Sequence, residues 1–205
     1  MASTGQIVQI PVKIDFHIHS AASAHKDGQK VKNGTAENID VLFGKLEENE
    51  VNMAAITDHD RFDYSIYDAL RSKVDNAQFL QRVLPGVEFT VSFKTSGGNK
   101  PIHVVTLFDD SDQEAVKRIG DAIPFKNGRP EYDDGNAFTE DAYWSIIRYI
   151  GLDIVAIAHQ KASPGSGRAR PNDANSVGEE LYNEFLFVEY FEAYEYKNRR
   201  NELFN

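Results

Sequence analysis

The chain has no cysteine among its 205 residues, which closes off both a disulfide framework and a thiolate metal site. Positive charge is also short: 22 Lys and Arg stand against 32 Asp and Glu, giving a net charge of −10 and a pI near 5.0. A protein that coats a nucleic-acid backbone presents a basic face, so that class is excluded. A phosphoester substrate is not, because bound divalent cations would reverse the local potential, and acidic runs such as Glu47-Glu48-Asn49-Glu50 read as solvated helix surface. No apolar stretch approaches the roughly 18 residues that span a bilayer, so no membrane partner is expected. Residues 1–11, with a small and polar start, read as disordered or tag-like rather than as a secretory signal, and the expected setting is the cytoplasm. There is no internal repeat and no low-complexity tract.

What the sequence does hold is enough apolar material for one domain: 41 % hydrophobic residues, including 13 Phe and 9 Tyr. Short apolar runs alternate with amphipathic stretches, the pattern of an α/β protein. Strands are expected at Val12 to His19, Met53 to Thr57, Leu84 to Ser92, Ile102 to Phe108 and Asp153 to Ala158. Helices are expected where apolar residues recur at helical spacing: Ile39-Leu42-Phe43-Leu46, Ile66-Tyr67-Leu70-Val74, Val116-Ile119-Ile123 and Trp144-Ile147-Ile150. Thr35, Ser111 or Asp112, and Thr139 supply start signals, and Gly151 a stop. Asn127 to Asn136 and Ala162 to Asn175 read as loops, followed by a helix around Glu179 to Phe185 and a strand near Phe187 to Tyr194. Between Phe93 and Pro101 stand only the residues KTSGGNK, too few for the helix that a parallel crossover needs. The two flanking strands are therefore expected to form an antiparallel hairpin.

The six histidines carry the functional signal. His17 and His19 form Asp-Phe-His-Ile-His at the end of the first expected strand, where a period of two points both rings the same way. His59 closes the second strand in Thr-Asp-His-Asp, and Glu88 lies in Pro-Gly-Val-Glu-Phe of the third. His103 lies in the fourth, His159 ends the Asp153 to Ala158 strand, and His25 sits in a polar loop. A lone histidine at a strand end is ordinarily a hydrogen-bonding residue, and a lone glutamate a capping carboxylate. Here, however, no histidine falls on an expected helix, and the set matches a metal site at the C-terminal rim of an α/β sheet. Imidazole and carboxylate donors without thiolate suit zinc, manganese or iron.

In this order, His17-x-His19, Thr57-Asp58-His59, Gly86-Val87-Glu88, His103 and His159 resemble the motifs of the PHP (polymerase and histidinol phosphatase) family of metal-dependent phosphoesterases. Phe191 to Asn198 (FEAYEYKN) is similar to its penultimate strand. The resemblance implies a distorted (β/α)7 barrel over residues 12–205 that holds two or three divalent ions. By that resemblance, His17, His19 and Glu88 would hold one ion. Glu88 would bridge to a second ion on His103 and His159, His25 and His59 would hold a third, and Asp58 would orient an imidazole. His17, His19, Glu88 and Asp58 would form the catalytic set.

One departure stands out. The family's last motif, Asp-x-His, is absent because no histidine follows His159, so the barrel is expected to be C-terminally truncated, lacking its final strand. An N-terminal module of a larger ATPase-fused protein would fit that expectation. The implied activity is hydrolysis of a phosphomonoester, nucleotide or nucleic-acid end. Lys161, Arg168 and Arg170, in the loop after His159, either steer the phosphate or form a solvated basic loop. The alternatives are a non-catalytic, metal-stabilised interaction module and an amidohydrolase-type C–N hydrolase, whose H-x-H opening is shared but whose bridging residue is usually a strand lysine. A hairpin centred on Gly97-Gly98 places His103 opposite Ser92, four residues or ~13 Å from Glu88.

Overall fold

A computed structural model of the protein describes residues 12–159 and 191–195. Five strands form a curled sheet: β1 (Ile14–Ile18), β2 (Met53–Ile56), β3 (Arg82–Thr95), β4 (Gly98–Phe108) and β8 (Ile154–His159), in the order β1-β2-β3-β4-β8. Short β9 (Ala193–Glu195) extends the β8 edge, and β7 (Phe138–Thr139) lies beside β3. The helices are α1 (Ala24–Asp27), α2 (Ile39–Glu48), α3 (Tyr64–Arg71), α4 (Gln113–Ala122) and α5 (Glu140–Ile150), and a small hairpin joins β5 (Phe125–Lys126) to β6 (Arg129–Pro130).

Local chemistry explains the helix starts. The Asp63 carboxylate accepts from the Ser65 and Ile66 amides, Asp112 from Glu114 and Ala115, and Thr139 Oγ1 from Ala142, each satisfying amides that have no partner inside the helix. The apolar stripes that these helices present (Leu46, Tyr67 and Leu70, Val116 and Ile119, Tyr143 and Ile150) all pack against one face of the sheet. That face is built from Ala54 and Ile56 of β2, Val87, Phe89, Val91 and Phe93 of β3, Ile102 and Val104 of β4, and Ala156 and Ala158 of β8. The opposite, concave face carries a much smaller apolar cluster of Phe16, Ala55, Leu84, Val105, Leu107 and Ile157.

The expected barrel is not formed. The molecule is a strand-dominated half-barrel with five short helices among the described residues. The reason lies in the hairpin. A seven-fold barrel needs each strand to be followed by a crossover helix that returns the chain in the same direction. Here only β1-β2 and β2-β3 of the five main strands pair in parallel, while β3-β4 and β4-β8 are antiparallel. The hairpin also takes up 14 and 11 residues in two long strands, where a barrel would spend them on short strands and helices. Residues 1–11, the loop and helix expected over 162–185, and most of the strand expected near 187–194 lie outside the described residues.

Two local details position the site. Between Asp15 and Ile18, β1 has one more residue than β2 has between Ala54 and Ile56, a β-bulge. The bulge suspends the usual alternation, so Phe16 joins the concave apolar cluster while His17, its neighbour, also reaches the concave face. Gly86 is the second. A Cβ there would stand 2.7 Å from Thr57 Cγ2 and 3.2 Å from Leu107 Cδ2, so the strands approach this closely only because the residue has no side chain.

Candidate metal centre

Glu88 stands on the concave face in β3, directly opposite Val105 of β4, and its side chain is fully buried. Five imidazoles surround it. Oε2 lies 2.8 Å from His59 Nδ1, 3.0 Å from His19 Nε2 and 3.2 Å from His17 Nε2. Oε1 lies 2.8 Å from His103 Nδ1 and 3.5 Å from His159 Nε2. The rings also face each other, with His17 Nε2 3.0 Å from His19 Nε2 and His17 Nδ1 3.2 Å from His159 Nε2. Despite these distances, both Glu88 oxygens and His59 Nδ1 are buried without a hydrogen bond of acceptable geometry among the described residues.

Close approach without hydrogen-bond direction is what a metal site looks like from its protein side. Two donors each about 2.1 Å from one tetrahedral ion stand ~3.4 Å apart, and the contacts above, at 2.8–3.5 Å, are close to that spacing or shorter. Two groups of three meet the condition with all donor atoms within 4.8 Å of one another: His17, Glu88 and His159, and His19, His59 and Glu88. Glu88 belongs to both, so each group could hold an ion with this carboxylate common to the two. The grouping differs from the one implied by resemblance, in which His17 and His19 shared an ion and His103 paired with His159.

The electrostatics agree with a carboxylate held ionised. Burial alone would push the Glu88 carboxyl up, but the facing His103, His17, His19 and His59 outweigh it and hold the group far below the carboxylate range. Burial lowers the His59 and His103 imidazoles, which favours the neutral, metal-ligating form. His19 goes the other way. Burial opposes its charge, yet Glu88 and Asp27 together raise it.

The position of His103 corrects the expected hairpin register. The turn is Ser96-Gly97, with Thr95 opposite Gly98, so His103 faces Thr90 rather than Ser92. That shift of two residues leaves the face unchanged and makes His103 a diagonal neighbour of Glu88, within reach of a long side chain. Its other nitrogen, Nε2, faces the Lys26 ammonium at 3.0 Å.

His25 is not brought to Glu88. It sits in the four-residue α1, against the expectation that no histidine lies on a helix; its Nδ1 is 3.3 Å from the Ala22 carbonyl and its ring packs edge-on against Phe125. Asp27, two residues on, takes its place. Asp27 Oδ2 lies 2.8 Å from His19 Nδ1, and Oδ1 lies 3.8 Å from His59 Nε2. With its proton on Nδ1, donated to Asp27, His19 would leave its Nε2 lone pair for an ion held between it and Glu88. Asp27 was missed in the sequence, although an acid eight residues beyond His19 in the same polar loop was a visible signal.

Asp58 does not orient a ring. Its carboxylate accepts from both the amide and the hydroxyl of Ser20, pinning the backbone immediately after His19, and burial pushes its pKa up to about 6. Asp60 does a similar task beside His59. Its φ of 49° is left-handed, and its buried carboxylate accepts from Thr90 N, Thr90 Oγ1 and Tyr132 OH at 2.6, 2.9 and 2.7 Å. The Asp60 amide in turn donates to the Glu88 carbonyl at 2.9 Å. Lys161, Arg168 and Arg170 lie outside the described residues.

No family model matches the chain, and no curated protein matches it. Among the described residues, no helix is long and apolar enough to cross a membrane.

Proposed function

We propose that the protein is a metal-dependent phosphoester hydrolase, the activity that its resemblance to the PHP motifs implies. The observation that carries this reading is the buried Glu88 carboxylate, crowded by five imidazole nitrogens at 2.8–3.5 Å yet left without a hydrogen bond. A structural role alone would be expected to give such a group well-directed hydrogen bonds, because a buried carboxylate that lacks them is costly. His17 and His159 would hold one divalent ion and His19 and His59 a second, with Glu88 shared.

Divalent ions held there would supply Lewis acidity toward a phosphoryl oxygen and a water that is nucleophilic at neutral pH. The chain's own part is placement. Glu88 fixes the spacing of the two groups, Asp27 sets the tautomer of His19, and Asp58 and Asp60 hold the backbone on either side of His59 and after His19. Lys26, with Nζ 3.2 Å from Thr90 Oγ1 and 3.0 Å from His103 Nε2, sets a positive charge at the edge of the cluster where an anionic substrate would arrive. Zinc, manganese and iron all suit this donor set. The test is hydrolysis of p-nitrophenyl phosphate before and after EDTA treatment, with zinc or manganese added back. Turnover that EDTA removes and metal restores is expected; turnover indifferent to chelation would overturn the reading.

A further inference from the structure

The connection between α4 and α5, expected as a polar loop over Asn127 to Asn136, instead contains the β5–β6 hairpin and then Tyr132. Tyr132 OH donates to Asp60 Oδ2 at 2.7 Å, across 72 residues of chain, and Asp60 directly follows His59. The rest of the connection is tied elsewhere: Asp134 accepts from Ser92 Oγ at 2.6 Å, and Asp133 from the Thr139 amide and hydroxyl. The Tyr132 ring stands edge-on to buried Phe138, whose strand β7 pairs with β3 at Val91. The ring is therefore seated by packing, and the hydroxyl adds one separate link toward the metal centre.

Asp60 is fully buried and has the left-handed backbone, φ 49°, that a residue with a side chain adopts only where its surroundings over-determine it. Its amide donates to the Glu88 carbonyl at 2.9 Å, and the Glu88 amide to the Asp58 carbonyl at 3.0 Å, so His59 bridges alongside Glu88. The Asp60 carboxylate closes the same link from its side chain, accepting from Thr90 N and Thr90 Oγ1 at 2.6 and 2.9 Å. Those three bonds join Asp60 to β3. The fourth, from Tyr132, comes from a distant part of the chain and gives the buried carboxylate its third donor.

His59 Nδ1 and Glu88 Oε2 stand 2.8 Å apart and belong, with His19, to one of the two groups of three. The other group shares Glu88 but takes its imidazoles from β1 and β8. Donors to one ion have to be kept within about 0.5 Å of their working positions by the groups behind them, and Asp60 lies behind only the His59 pairing. We infer that Tyr132 is a positioning residue for the ion of the His19–His59–Glu88 group, acting through Asp60 on the spacing of His59 and Glu88, a role that rests on the metal-binding part of the proposed function and not on the reaction.

The test is metal retention by the full chain. Native protein, Tyr132→Phe and Ser92→Ala are loaded with zinc, dialysed against the highest chelator concentration that leaves the native chain both ions, and counted by mass spectrometry. Tyr132→Phe keeps the ring and loses the hydroxyl, whereas Ser92→Ala cuts a tie between the same connection and β3 that does not involve Asp60. Tyr132→Phe should weaken one position at least about tenfold and so keep one ion of two, while Ser92→Ala keeps both. His59→Ala, which removes a donor from the same group, should also keep one, and adding Tyr132→Phe to it should cost no further ion.

Tyr132→Phe that loses neither ion or both, an equal loss in Ser92→Ala, a double variant that holds none, or a native chain that takes up no zinc would overturn the role. Hydrolysis of p-nitrophenyl phosphate separates it from the hydrolase. One ion lost through Tyr132→Phe in a native chain without turnover keeps the positioning and removes the hydrolase. EDTA-sensitive turnover with both ions kept by Tyr132→Phe removes the positioning and leaves the hydrolase standing.

Discussion

Along the middle of β3, consecutive residues belong to two different economies. Val87, Phe89, Val91 and Phe93 point outward into the helix-covered core, whereas Glu88, Thr90 and Ser92 point into the concave face with the histidines, the Asp60 carboxylate and Asp134. The outward residues stabilise by removing apolar area from water. The inward ones are nearly as buried, and Glu88 relies on the facing imidazoles, without well-directed hydrogen bonds, to offset the loss of water. The comparison teaches that the fold is held from one side and leaves the other side free to carry groups that cost stability.

The largest effect should come from the outer face. Phe89→Ala removes a fully buried ring stacked edge-on with Phe138 and Tyr143, and should cost about 3–5 kcal/mol in urea denaturation. The metal content of the protein that remains folded should not change. A loss of metal at preserved stability would erase the distinction between the faces.

The next effect is a pH dependence from the concave side. Burial raises the Asp58 carboxyl from 3.8 to about 6. Between those values the folded chain keeps a proton that the unfolded chain has released, so stability falls as pH rises from about 4 to about 6 and the cost persists above. A shift of about two units corresponds to about 3 kcal/mol. Urea melts of EDTA-treated protein at pH 4, 5 and 6 should show this slope, and Asp58→Asn, which keeps an acceptor for Ser20, should abolish its share. An identical slope in the variant would contradict the assignment.

Smaller still is the contribution of Asp27. Asp27→Asn weakens the hold on His19 without removing a donor from either group of three, and should lower zinc or manganese affinity about 10–100-fold in a competition titration. An unchanged affinity would mean that Asp27 does not orient the ring.

The sequence made the inner face more legible than the architecture around it. His17, His19, Glu88, His59, His103 and His159 were each readable, because strand periodicity and the short H-x-H, T-D-H and G-V-E motifs depend on neighbours only a few residues away. The reason for Gly86 in the last motif, contact with Thr57 of the one before it, needed the strands side by side. The hairpin register turned on whether Ser96-Gly97 or Gly97-Gly98 occupies the turn, a choice of one residue that moves His103 by two places against β3. The barrel was an expectation drawn from resemblance, and it failed where the 14- and 11-residue strands of the hairpin reverse the sheet. Asn127-Gly128 was the strongest overlooked signal, since this pair is the favoured two-residue hairpin turn and it joins β5 to β6.

Metal stoichiometry by mass spectrometry on the native chain and on Glu88→Gln bears most directly on the shared carboxylate. If one carboxylate serves both groups of histidines, the native protein carries two divalent ions, and the single substitution empties both positions while the chain stays folded by circular dichroism. A native protein that takes up no divalent ion, or a Glu88→Gln variant that retains the native complement, would contradict the account.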